Sequence, residues 1–262
     1  MEKQPGMVSF VGAGPGDPEL LTLKGKRLIE EAALLLYAGS MIPPALLDLA
    51  SPRASVIDAA PLDLEECHSL MLQFARAGQP VVHLHTGDPA VYSALREQLA
   101  LLDRDGIPWQ VVPGITAAST AAAALGAPLQ NGFSLVSLSD LLVPADEVRR
   151  NLRAVAQSAL PATLYNPAGR KRRRLLAEAL DIFREARGGD ILCAFVRHAG
   201  RPEETRWIGR LADLPADDVD MSTLVLIGSA RTVTDQGALF EARGYAEKYL
   251  DKDAPASAAD GR

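Results

Sequence analysis

Three glycine turns hold most of the chemistry in this sequence. Val8-Ser9-Phe10-Val11 runs into Gly12-Ala13-Gly14-Pro15-Gly16-Asp17-Pro18, Val81 to His85 runs into Thr86-Gly87-Asp88-Pro89, and Trp109 to Val112 runs into Pro113-Gly114-Ile115-Thr116-Ala117. Each places bare backbone where a short apolar run stops. In an open α/β sheet such turns gather along the carboxyl edge, where ligands bind. Recognition by N–H and C=O groups is the chemistry they suit. The first spacing is G-x-G-x-G-D-P, with Asp17 where the dinucleotide fingerprint has its third glycine. The following apolar run, Ala32 to Tyr37, ends without an acidic residue for a ribose hydroxyl, so a nicotinamide cofactor is excluded.

The reactive side chains are few. Asp17 precedes Pro18, the pattern of a helix N-cap, and it is also a carboxylate beside the first turn. His83 and His85 alternate on one strand and share a face. A buried, hydrogen-bonded pair explains them, as does a base at His85; without a third ligand nearby they make no metal site. Arg149, Arg150, Arg153 and Arg170-Lys171-Arg172-Arg173-Arg174 form a basic cluster in a chain of net charge −6. Arginine forks bind carboxylates, although a solvated helix face with Glu178 and Asp181 as partners fits equally. Tyr92 and Trp109 are candidates for stacking on a flat ligand, with core packing favoured for Trp109.

The elements that must position these residues alternate. The first half reads as strand 7–12, helix 20–31, strand 33–37, helix 43–50, strand 54–58, helix 63–77, strand 80–85, helix 91–105, strand 109–112 and helix 116–124. This βα order predicts an α/β fold with a mainly parallel sheet. Residues 126–132 break the pattern as a linker. The second half continues with strand 134–137, helix 145–157, strand 162–165, helix 171–186, strands 191–196 and 204–209 as a hairpin around Gly200, and strand 223–227. That order predicts a second α/β domain with a mixed sheet. The expected domains are 1–125 and 133–235, with a ligand cleft between them and a partly disordered tail over 236–262.

Composition narrows the class. The chain has 262 residues, 48% of hydrophobic type and 23% charged, enough for a sizeable core. The acidic balance excludes nucleic acid as a partner. Cys67 and Cys193 stand alone, outside any metal spacing, which fits a reducing cytoplasm. No apolar run reaches the roughly 18 residues of a membrane span, and the polar start has no signal-peptide core.

Taken together, G-x-G-P-G-D-P-x-L-L-T, the later G-D-P and P-G-I-T-A resemble the tetrapyrrole methylases, over about residues 7 to 232. The resemblance implies S-adenosylmethionine as methyl donor, S-adenosylhomocysteine as product, and a tetrapyrrole precursor of cobalamin or sirohaem as substrate. It implies a kidney-shaped pair of domains and a homodimer. It places Gly87, Asp88, Pro89, Val91, Tyr92, Pro113, Thr116 and Ala117 at the cofactor, joined by Tyr165, Asn166, Ala199 and Thr223 from later strand ends. Gly14, Pro15, Gly16 and Asp17 fall on the substrate side, with Asp17 and His85 as the catalytic candidates. Arg170, Arg172 and Arg173 are the candidates for the substrate's carboxylates.

The resemblance divides along the chain. Leu36-Tyr37-Ala38-Gly39-Ser40, Pro61 to Glu66 and His85 to Tyr92 look like the members that methylate precorrin-4 at ring carbon 11. Leu164-Tyr165-Asn166-Pro167, Ala199 to Glu204 and Val219 to Thr223 look like those that methylate precorrin-3B at carbon 17 with ring contraction. The first half carries the Gly-rich loop and favours carbon 11. A diphthamide synthase-type protein methyltransferase and a non-catalytic tetrapyrrole-binding protein are the other readings. The Arg cluster and Asp63-Leu64-Glu65-Glu66 oppose the former, and the intact loops oppose the latter.

Overall fold

A computed structural model describes residues 4–167 and 173–242. The chain divides into two compact units, Met1–Ala124 with Val196–Thr205, and Leu125–Phe195 with Arg206–Arg262.

The first unit is built on five strands: β1 (Val8–Gly12), β2 (Leu34–Tyr37), β3 (Ser55–Asp58), β4 (Val81–His85) and β5 (Trp109–Val112). Their order is β3-β2-β4-β1-β5, and every pairing is parallel. The helices are α1 (Leu23–Glu31), α2 (Pro44–Leu47), α3 (Leu64–Arg76), α4 (Arg96–Arg104) and α5 (Ala117–Leu125). Central strands β1 and β4 are buried on both faces, which is why they read as continuous apolar runs. One face packs Val11, Leu35, Val82 and Leu84 with Ile29 of α1. The other packs Phe10, Leu34, Leu36 and Val81 with Met71 of α3 and Leu102 of α4.

The second unit has a sheet of β7 (Ser134–Ser137), β8 (Ala162–Tyr165), β9 (Leu192–Arg197), β10 (Thr205–Arg210) and β11 (Thr223–Ile227), in the order β10-β9-β11-β8-β7. Parallel pairing of β7 with β8 and antiparallel pairing of β8 with β11 make it mixed. Helices α6 (Ala145–Gln157) and α7 (Arg174–Arg187) bury Leu152, Leu180 and Phe183 against it. A third sheet joins β6 (Gly126–Ala127), β13 (Ala238–Glu241) and β12 (Thr232–Asp235).

Several elements differ from the sequence expectation. Residues 126–132, read as a linker, begin with β6, because Gly126 at φ +124° lets its backbone lie against Leu239 of β13. Residues 236–241, assigned to the tail, are largely β13, held by buried Glu241, which accepts from Ser229 Oγ and from Thr232 Oγ1 at 3.0 Å. The helix expected from 91 starts at Arg96, since Tyr92 at φ 54° cannot be helical. The helix expected from 20 splits into a 3-10 turn, Pro18–Leu20, and α1, which Thr22 caps by accepting from Gly25 N at 3.0 Å. The helix expected over 43–50 is the single turn α2.

Candidate functional site

The parallel pairing sets the first unit's turns side by side. Gly12 ends β1 opposite His85 of β4, and Val11 lies opposite Val112 of β5. Beyond the strands the chain stays in contact. Ala13 N donates to His85 O at 2.7 Å, Gly14 N to Gly87 O at 3.1 Å, and Gly87 N to Gly14 O at 2.8 Å.

The glycines make this junction possible for a steric reason. A Cβ on Gly12 would sit 2.6 Å from Gly87 O and 2.5 Å from Gly114 N, and a Cβ on Gly114 would run into Gly87 O. Here three backbones pack on one another, so Gly12 and Gly114 serve the protein's own close approach. Gly87 differs. Its φ is +67°, and the nearest atoms to a Cβ there are Ile115 O and Thr116 Cα, both at 4.0 Å. A Cβ at Gly87 would thus make only ordinary van der Waals contact, so its left-handed backbone rather than crowding calls for glycine.

Around Gly87 the side chains hold the turn. Asp88 Oδ1 accepts from Ala90 N at 2.8 Å, and Val91 N donates to Asp88 O at 3.0 Å. Pro89 is buried, Val91 half-buried, and Tyr92 exposed with its backbone left-handed. Pro113 is exposed, and Thr116 opens α5 by accepting Ser119 N and Thr120 N on its carbonyl.

His85 sits just before this turn. Its Nδ1 lies 2.9 Å from Ser93 Oγ, while Nε2 is buried without a partner. The His83 and His85 rings stand 4.5 Å apart, both near Phe10, and His83 Nδ1 lies 2.9 Å from Gln98 Oε1. Burial first, then the neighbouring His83, pushes the His85 pKa down to about 3, and burial lowers His83 to about 4. Both rings are neutral near pH 7, and His85 in this setting is a weak proton acceptor. The geometry favours the buried-pair reading of these histidines over the base.

Asp17 caps the 3-10 turn, its Oδ1 accepting from Glu19 N at 2.8 Å. It also lines a cavity of about 800 Å³ with Gly16, Pro43, Gly200, Arg201, Glu203 and Glu204. The sequence allowed both an N-cap and a carboxylate on the substrate side as compatible readings, and this side chain both caps the turn and lines the cavity. The residue that sequence reasoning passed over is Arg201. Its Nε donates to Pro15 O at 3.0 Å and its Nη2 to Met41 O at 2.7 Å. The side chain lies over Gly16, where a Cβ would meet Arg201 Nε at 2.8 Å. The Gly-Arg-Pro run after Ala199 was the available signal for a turn, but nothing in it pointed to Pro15.

In the second unit Tyr165 and Asn166 follow β8. Asn166, at φ 52°, donates from Nδ2 to Ser137 Oγ at 2.9 Å, tying the ends of β7 and β8. Thr223, at the start of β11, uses its hydroxyl to close a turn: Oγ1 donates to Asp220 Oδ1 at 2.8 Å and accepts from Asp220 N at 3.0 Å. Three of the five described members of the basic cluster are paired, while Arg150 and Arg153 are exposed. Arg149 bonds Glu178 and Asp146, Arg174 bonds Glu178, and Arg173 Nη1 reaches Asp217 Oδ1 at 3.0 Å. Arg170 and Arg172 lie outside the described residues. Ala199 belongs with the first unit, half-buried in the turn after β9.

The sequence profile of the tetrapyrrole (corrin/porphyrin) methylases matches residues 7–215. The chain belongs to this family. Among its relatives, the precorrin-4 C(11)-methyltransferase of Rhodococcus erythropolis is 37% identical over 249 residues, spanning 93% of this chain and 95% of that one. A probable cobalt-factor III C(17)-methyltransferase of Salmonella typhimurium is 30% identical over 242 residues, 91% of this chain and 99% of that one. The crystal structure of the methyltransferase CobJ superposes with a TM-score of 0.81 at 28% identity, covering 90% of this methylase and all of CobJ (100%). A uroporphyrin-III C-methyltransferase of Thermus thermophilus, solved with S-adenosylhomocysteine, gives 0.66 at 33% identity, covering 85% and 92% of the two chains. This tetrapyrrole methylase is therefore a methyltransferase of an α/β fold, and both the carbon-11 and carbon-17 names occur among its relatives. Among the described residues no helix is long and apolar enough to cross a membrane.

Proposed function

We propose that this protein transfers a methyl group from S-adenosylmethionine to ring carbon 11 of precorrin-4, or of its cobalt form, in cobalamin biosynthesis. The observation that supports the chemistry is the glycine turn at Gly87, held at φ +67° past the end of β4 and bonded to the first glycine turn at Gly14. A sulfonium donor supplies an already activated methyl group, so the protein needs positioning more than acid–base catalysis. The S–CH₃ bond breaks as the new C–C bond forms, sulfur keeps the electron pair, and a ring proton leaves afterwards. The first unit matches this demand. Its turns are locked together by backbone contacts at Gly12, Gly14, Gly87 and Gly114, and a neutral His85 adds no competing charge.

In this reading Gly87, Asp88, Pro89, Val91 and Tyr92, with Pro113, Thr116 and Ala117, hold the donor. The turn at Gly87 suits it, since glycine puts no side chain of its own between the main chain and a bulky methionyl group. Tyr165, Asn166, Ala199 and Thr223 are assigned to the donor from the family pattern, Thr223 through its backbone because its hydroxyl is engaged. Gly14 to Asp17 face the substrate. The enzyme works as a homodimer in the cytoplasm, in keeping with two buried, unpaired cysteines.

Regiochemistry is tested with a carbon-13 methyl donor. Label at carbon 11 of product from precorrin-4 is the expected result. The second reading, methylation of precorrin-3B at carbon 17 with ring contraction, rests on the C(17) relative and the second-half motifs. Label at carbon 17 establishes it in place of the first, and label on a protein histidine overturns both.

A further inference from the structure

The basic cluster is an unpromising carboxylate site where Arg149, Arg173 and Arg174 already have acidic partners, and its other described members, Arg150 and Arg153, are exposed on α6. Arg201 stands in the opposite situation. Both of its hydrogen bonds go to neutral carbonyls, Pro15 O and Met41 O. It lines the 800 Å³ cavity, and among the described residues no carboxylate is paired with it. Its Nη1 makes no hydrogen bond to any described residue. Two of the cavity's three acidic residues are turned to other work: Asp17 Oδ1 accepts from Glu19 N, and Glu204 Oε2 accepts from Gly200 N at 2.8 Å.

We propose that Arg201 is the substrate's carboxylate-binding and orienting residue, holding one peripheral carboxylate of the tetrapyrrole through its free Nη1 edge. This rests on the reading that the substrate is a precorrin. Arg201 is the one cation among the cavity's lining residues, which include the acidic Asp17, Glu203 and Glu204. An anionic side chain is therefore attracted at one point and repelled elsewhere, so the ring enters in one orientation. The Nε and Nη2 bonds fix the fork, and a fixed guanidinium loses less freedom on binding an anion than a mobile one.

The same bonds tie the ligand point to the loop. Pro15 and Gly16 lie under the Arg201 side chain, and Gly14, one residue earlier, exchanges hydrogen bonds with Gly87. Gly200, at φ +71°, is what permits this approach, since a Cβ there would come within 2.9 Å of Pro15 Cγ. Four residues before Arg201, Arg197 has a buried Nε with no hydrogen-bond partner, a second cation of the same segment without an internal acceptor.

The test uses the full-length protein, with Arg201→Gln and Arg201→Lys, steady-state turnover of the precorrin that the wild type consumes, and calorimetric titration with S-adenosylhomocysteine. Arg201→Gln should raise KM for the precorrin about tenfold or more, with S-adenosylhomocysteine affinity within about threefold of wild type. Its KM should also lose the salt dependence that an ionic contact gives the wild type. Arg201→Lys should fall between the two, keeping charge without the fork. An unchanged KM in Arg201→Gln overturns the proposal. So does a KM that rises only in step with lost S-adenosylhomocysteine affinity, the mark of a purely structural clamp. A wild type that binds S-adenosylhomocysteine but consumes neither precorrin refutes the functional reading itself, and this proposal falls with it. Normal wild-type turnover with an indifferent Arg201→Gln refutes this proposal alone.

Discussion

Gly14 and Gly87 exchange two backbone hydrogen bonds, 3.1 Å in one direction and 2.8 Å in the other, although 72 residues separate them in sequence. This antiparallel bridge joins the two turns just past the last paired residues of the parallel strands β1 and β4, Gly12 and His85. It makes the first two glycine turns a single object, and Gly114 closes the third side. Perturbing one turn is therefore expected to be felt in the other two.

Gly114→Ala tests that coupling. Its Cβ would run into Gly87 O and stand 2.9 Å from Gly12 Cα, so backbone must shift. Overpacking of this kind costs about 1–3 kcal/mol, and the displaced Gly87 carbonyl should weaken S-adenosylhomocysteine binding as well. Gly106→Ala is the control: φ is +66° but nothing lies within 4 Å, so only a left-handed backbone cost of about 1 kcal/mol is expected, with ligand affinity unchanged. Urea unfolding and calorimetry on both variants give the two readouts.

At Gly87 itself the prediction separates strain from obstruction. Gly87→Ala meets only ordinary van der Waals contacts at 4.0 Å and should lose about 1 kcal/mol of stability to its positive φ while still binding S-adenosylhomocysteine, with reduced affinity. Gly87→Arg puts a long side chain into the same space and should abolish binding. A folded Gly87→Arg protein that binds normally would remove this turn from the donor site.

What the sequence made legible followed from local chemistry. The strands of the first unit announced themselves as apolar runs ending in Gly or Pro, and the parallel order followed from the βα alternation. β6, β12 and β13 went unread because their burial depends on distant partners: Gly126 on Leu239, and Glu241 on Ser229 and Thr232. The glycine turns were visible, yet their function was only half legible. Gly12 and Gly114 look identical to a ligand-approach glycine until the strand register shows that they meet each other. Arg201 was unreadable for the same reason, since its acceptor on Pro15 lies 186 residues away.

Acid should destabilise the first unit through its histidine pair. His83 and His85 have folded pKa values of about 4 and about 3, below the ordinary 6.5. The unfolded chain therefore binds more protons between pH 6.5 and about 4, and stability falls as pH drops through that window. From pH 7 to pH 5 each histidine should remove about 2 kcal/mol. Urea midpoints measured across this range should follow that slope, and His83→Asn should flatten it by close to one histidine's share. A wild-type stability that stays level to pH 5 would contradict the buried neutral pair.

Arg187 gives the second unit its own test. Its guanidinium donates to the carbonyls of Val155, Ala156, Ser158, Leu160 and Gly228, and stacks 4.9 Å from the Phe183 ring centre. These bonds satisfy the open carbonyl end of α6, which has no basic residue in its last turn. Arg187→Ala should cost about 3 kcal/mol or more by leaving several carbonyls without donors. Arg187→Lys should recover little, because one ammonium cannot span a set of acceptors that a planar fork reaches. Thermal unfolding of the three proteins would show whether the two variants group together, as expected, or the lysine restores the wild type.

Asp17 allows cap and cavity to be told apart with two substitutions. Asn keeps a side-chain oxygen for Glu19 N and removes the charge, whereas Ala removes both. Asp17→Asn should leave stability within about 0.5 kcal/mol of wild type, and Asp17→Ala should lose about 1 kcal/mol with the cap. If the carboxylate faces the precorrin, turnover falls in both variants to a similar extent, since both lack the charge. If Asp17 only caps the Pro18–Leu20 turn, Asp17→Asn keeps full turnover and Asp17→Ala alone is impaired. S-adenosylhomocysteine affinity should hold in Asp17→Asn under either outcome if, as proposed, the donor is held at the Gly87 turn rather than at Asp17. The expected result is a shared loss of turnover with stability lost in Asp17→Ala only, which would place one carboxylate in both roles.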